Sequence, residues 1–159
     1  MGAGAPPAPT GLSSSPRLPY PGAVDLDRTF RAYAEEHVRV VRQLTGLQLD
    51  YSPASLAACD RLVDEGWGGQ LPRQLEAAVN LFGAYLGEVI VRTLGGRWEV
   101  DDRFGVCVVG LRGTEARAMP LLRAARRFLE GPAASFEGYY EELLAALELV
   151  GAPPAGSDL

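Results

Sequence analysis

The chain contains no lysine; all fifteen of its basic residues are arginines. That absence excludes Schiff-base chemistry on a lysine and any phosphate loop of the G-x-x-x-x-G-K type. There is one histidine, His37, and the two cysteines, Cys59 and Cys107, form no C-x-x-C pair. No metal site and no cofactor are therefore expected. A G-x-S-x-G elbow is missing too, and nothing reads as a serine triad. No apolar run reaches the length of a membrane-spanning helix. The N-terminus lacks the basic start and apolar stretch of a secretory signal, and Pro6 breaks the myristoylation pattern. With a net charge of −5, nucleic acid and anionic membrane are not expected partners. These absences point to a cytoplasmic protein with reduced thiols, one disulfide in an exported protein being the alternative.

What is present is enough for one core. Apolar residues make up 47% of 159, which suits a single folded domain. Residues 1–22 and 151–159 are rich in Pro, Gly, Ala and Ser and read as flexible tails flanking a domain over 23–150.

Periodicity predicts five helices. Leu26, Phe30, Tyr33, His37, Val41 and Leu44 recur at three- and four-residue steps, giving a first helix over 25–44 that Gly46 stops. "LQLDY" alternates briefly, as a short strand or a connection. Ser52 and Pro53 open a second helix that runs to about residue 65. "GWGGQLP" is a loop, and Pro72 opens a long third helix ending at Gly95–Gly96. This third helix is apolar nearly all round and belongs in the middle of the domain. "RWEVDDRFGVCVVGL" reads as two strands around a turn at 101–103, and two further helices follow, the last capped by Ser135. The fold class is α+β: mainly helical, packed on a small antiparallel hairpin or sheet. An isolated hairpin is marginal, so it is expected to lie across the third helix or gain strands, with a homodimer left open.

Few residues suggest chemistry. His37 lies within the first helix's apolar stripe, where a core histidine donating to a backbone carbonyl is favoured over an acid/base or metal role. Cys107 in a valine-rich strand, and Cys59, read as core. Arg117, Arg123, Arg126 and Arg127 form a local basic cluster that could grip an anion, although a solvated helix face is the plainer reading. Trp67 and Trp98 each neighbour glycines, which suits a ligand surface or the sealing of a core.

The segment that stands out is "NLFGAYLGEVIVRTLGGRW", residues 80–98. Tyr85, Glu88 and Arg92 share one helix face, and Gly83 and Gly87, four apart, allow another backbone to approach. Glu88 is expected to be partly buried, ionised and held by Arg92 or Arg97, with Tyr85 beside it, because a lone carboxylate on a central helix needs a charged partner. This segment resembles the centre of a family of short bacterial proteins of unknown function. The resemblance extends to "LDYSPASLAACDRLVDEG" upstream and to "PLLRAARRFLEG…SFEGYYEEL" downstream, over about 47–145. It implies that Gly83, Tyr85, Gly87, Glu88, Gly95, Gly96, Arg97 and Trp98 are a defining core, and it brings no activity with it.

Two functions follow as expectations. The first is a small accessory protein that binds a protein partner or small ligand through Tyr85, Glu88, Arg92, Arg97, Trp98 and Trp67. The alternative is a hydrolase or lyase with Glu88 as general base, helped by Tyr85 and an arginine, with His37 alongside.

Overall fold

A computed structural model describes residues 25–150. The expected tails at 1–22 and 151–159 lie outside the described residues. Five helices and one small sheet follow in the order α1 (Leu26–Thr45), α2 (Ser55–Trp67), α3 (Leu75–Leu94), β1 (Arg97–Asp101), β2 (Gly105–Val109), β3 (Arg117–Ala118), α4 (Pro120–Glu130) and α5 (Phe136–Leu149). The fold is α+β and mainly helical, as the periodicity implies.

The caps explain the boundaries. The Asp25 carboxylate accepts from Arg28 N at 3.1 Å to start α1, and Gly46 ends it in the left-handed region. Helix α2 begins at Ser55, after a turn through Pro53, because Ser52 Oγ accepts from Ser55 N. Pro72 does not open α3, which starts three residues later. Pro120 takes the first position of α4, and Ser135 caps α5 by accepting from Gly138 N at 2.9 Å.

Helix α3 is the spine. Every residue from Phe82 to Ile90 is buried, with α1 on one flank and α4 on another. By length and composition this helix could cross a membrane, contrary to the expectation that no segment qualifies. Most of it is covered by the other helices, as an all-round apolar core helix must be. Gly95 and Gly96, at φ 82° and 103°, then turn the chain into β1. A Cβ at Gly96 would sit 2.6 Å from the Val109 carbonyl oxygen, so the turn admits only glycine there.

Strands β1 and β2 pair antiparallel in the register Trp98↔Val108 and Asp101↔Gly105. Asp101 Oδ1 accepts from Arg103 N and Phe104 N, closing the expected turn. A third strand comes from within the chain but not from "LQLDY": Arg117–Ala118 pairs with β2. "LQLDY" is a connection whose Leu49 is buried. The sheet lies on α3 through Trp98 and is tied to α1, where Asp27 Oδ1 accepts from Trp98 N at 2.9 Å.

Candidate functional site

Two places on α3 hold the residues singled out by the sequence, and they differ in kind. The first is a closed polar seam around Glu88, which is 4% exposed. Trp98 Nε1 donates to Glu88 Oε2 at 2.9 Å, and Arg92 Nε lies 3.6 Å from Oε1. The Trp98 indole fits the gap left by Gly87, where a Cβ would stand 2.1 Å from its Cζ2, and stacks on Phe30 at 4.3 Å. The small-residue spacing therefore admits an indole at Gly87, and the α4 backbone, at Leu121 Cα, only at Gly83.

Two expected partners of Glu88 are elsewhere. Arg97 is exposed and pairs with Glu99 at 3.2 Å, because its strand position points it away from α3 while Trp98 points in. Tyr85 is fully buried, but its hydroxyl faces the α1–α2 connection: Tyr51 N donates to it at 2.8 Å. Ser55 Oγ lies 2.7 Å from the same oxygen, and its own proton goes to the Ser52 carbonyl, so Tyr85 is the donor to Ser55. Burial pushes the Tyr85 hydroxyl up to about 12 in pKa, with the bonds to Ser55 and Tyr51 pulling the other way.

Tyr51 joins the two ends. Its ring stacks on Tyr85 at 5.0 Å, and the Arg92 guanidinium lies 3.5 Å over its centroid. The residue sits at φ 64°, a left-handed backbone that few non-glycine residues adopt. No pattern in "LQLDY" announces this.

The arginine cluster divides by burial. Arg126 pairs with Glu130 on the surface, and Arg117 with Asp101 beside the hairpin turn. Arg123 and Arg127 are buried, at 7% and 2% exposure, so a solvated face describes only Arg117 and Arg126. Arg127 Nε reaches Asp60 Oδ1 at 2.8 Å and Nη2 reaches Asp64 at 2.9 Å. Asp60 also accepts from Phe136 N and Glu137 N, so one carboxylate joins α2, α4 and the start of α5. This is architecture, and it depends on a partner 67 residues away.

The second place is an open groove of about 920 Å³ between the C-terminal half of α1, the end of α2 and the N-terminal half of α3. Val41, Leu44, Trp67, Leu81 and Phe82 form its apolar walls. Trp67 is half-buried, edge-on to Phe82 and Phe128, and forms one wall. His37 lines the groove while itself only 2% exposed. Burial lowers its pKa to about 4, so the ring is neutral near pH 7. Its polar contact is Cys59 Sγ, 4.0 Å from Nε2, in place of the expected backbone carbonyl. Burial, and then the charge of Asp60, push the Cys59 thiol up, so this pair is a neutral contact with no thiolate character. Cys107 is buried in β2 and its thiol is also pushed up by burial; both cysteines are free.

The general-base arrangement lacks its geometry. Glu88 lines neither the groove nor a smaller cavity of about 160 Å³ beside Arg127, and each of its oxygens faces a partner. His37 is drawn to Cys59 and Phe82, on a different face of α3 from Trp98. Among the described residues, no cluster of three His, Cys, Asp or Glu side chains could hold a metal ion. No spacing in the sequence marks the groove, although Leu44, left 79% exposed at the end of an apolar stripe, is its one local trace.

No match is found among curated proteins or among solved structures. Residues 27–143 match a family of unknown function, DUF6278, so the shared region begins in α1, earlier than residue 47. The chain belongs to that family.

Proposed function

We propose that this protein is a binding module whose site is the α1–α3 groove, and that its ligand is a small, largely apolar molecule. The observation that carries this reading is the groove: about 920 Å³, apolar-walled, with an aromatic wall and one buried polar side chain. Ligand sites of small-molecule binders have this size and this composition of apolar lining with few polar groups. The same geometry makes the Glu88 seam a support for the spine of the fold. The protein then acts as an accessory factor in the cytoplasm, holding a ligand without transforming it.

Titration with the neutral dye Nile red tests the reading. Saturable one-to-one binding is expected, and Ala77→Trp, which fills the groove from an exposed helix position, should abolish it while the melting curve stays unchanged. Absence of saturable binding, or equal binding by Ala77→Trp, would overturn it.

A further inference from the structure

We infer that the groove takes an anionic amphiphile, a chain-like or ring-bearing carboxylate whose apolar body lies along Trp67 and Phe82 and whose head group meets Arg73. This rests on the groove being the binding site and adds the ligand's chemical class. Two observations converge on it. None of the residues lining the groove is Asp or Glu, although the chain carries twenty acidic residues and a net charge of −5. Arg73 stands at the groove's edge, exposed, and among the described residues it makes no ion pair or hydrogen bond.

The interior fits the same ligand. His37, nine-tenths buried and lining the groove, has Cys59 Sγ 4.0 Å from its Nε2. Because that ring is neutral near pH 7, Arg73 is the groove's one fixed cation, and it sits at the mouth. A carboxylate is therefore selected at the entrance, where a charged head keeps partial hydration, while the apolar body displaces water from the walls. A neutral alcohol of the same length has the second interaction without the first.

The test compares octanoate with 1-octanol by calorimetric titration of the full chain, for the native protein, Arg73→Gln and Ala77→Trp. Octanoate is expected to bind the native protein one to one, and Arg73→Gln to weaken it about tenfold or more by removing a charge-assisted contact. Octanol should bind the native protein and Arg73→Gln equally, and Ala77→Trp should remove both. Raising the salt concentration should weaken octanoate alone. If octanol binds as tightly as octanoate and Arg73→Gln changes neither, the anionic head group is wrong and the apolar groove stands. If neither molecule binds the native protein, both the head group and the groove reading fall.

Discussion

The two halves of α3 pack by opposite rules. From Phe82 to Ile90 every position is covered, and the one carboxylate there is matched by an indole N–H and an arginine. From Leu75 to Leu81 the same helix is only partly covered, and its Ala77, Ala78 and Leu81 face an open groove. The closed half contains the more unusual residue, Glu88, and the open half contains ordinary ones. Burial and satisfied hydrogen bonding mark the first as architecture, whereas the second leaves apolar surface uncovered, and there the proposed ligand goes. The unexpected residue thus belongs to a covered core, and the proposed site rests on an uncovered surface.

Substitution on each half sharpens the contrast, and the largest effect belongs to the closed one. Gly87→Ala drives a methyl into Trp98 and should destabilise by about 3 kcal/mol, read as a lowered denaturation midpoint with unchanged slope. Ala77→Leu adds more carbon on the open half, yet should leave stability within about 0.5 kcal/mol because the added atoms enter empty groove. Equal costs at the two positions would remove the distinction.

The next effect is the pH dependence attached to His37. Its folded pKa, about 4, lies below the ordinary value near 6.5, so the unfolded chain takes up a proton that the folded chain refuses. Stability is therefore fully present above about pH 6.5 and declines as pH falls toward 4, by about 3 kcal/mol in all. His37→Phe should flatten the curve between about pH 6.5 and 5.5, below which Glu36, Asp50 and Asp101, held below the ordinary carboxylate range by hydrogen bonds, lose stability in either protein. An unchanged slope between pH 6.5 and 4 would show that the imidazole is not desolvated.

Smaller effects separate the arginines. Trp98→Phe removes a buried donor to a carboxylate and should cost about 1.5–3 kcal/mol. Glu88→Gln keeps an acceptor for the indole and should cost less, about 1 kcal/mol, because Arg92 is 41% exposed and water replaces its lost partner. Arg97→Met should leave the denaturation midpoint unchanged, its partner Glu99 being a surface residue of the same strand. A shift for Arg97→Met as large as that for Trp98→Phe would restore Arg97 to the seam.

Much of this architecture is legible in the residues. The step of three and four through Phe30, His37 and Val41 marks the buried side of α1, and Ser135 and Pro120 mark helix starts with a local mechanism. The all-round apolar run marks α3 as the spine. Long-range partners are not legible. Arg127 reads as a surface arginine in "RAARRFLEG", and only the docking of α2 brings Asp60 and Asp64 to it. Glu88 stands out as a lone carboxylate, but its chief partner is a tryptophan whose neighbouring glycines suit a surface and a core seal alike. Tyr51 is hidden because a left-handed backbone at a tyrosine is set by what surrounds it. The groove is hidden for a simpler reason: an apolar stripe has the same period whether a neighbouring helix covers it or leaves it bare.

On the proposed reading, ligand enters the groove along Leu81 and Phe82 and leaves the Glu88 seam alone. The chain has two tryptophans, one in each place: Trp67 in the groove wall and Trp98 in the seam. Their indole N–H resonances report the two regions within one spectrum. Titration with 1-octanol should shift the Trp67 signal saturably and leave the Trp98 signal in place. Movement of Trp98 with Trp67 unchanged would put the ligand in the Glu88 seam and contradict the account.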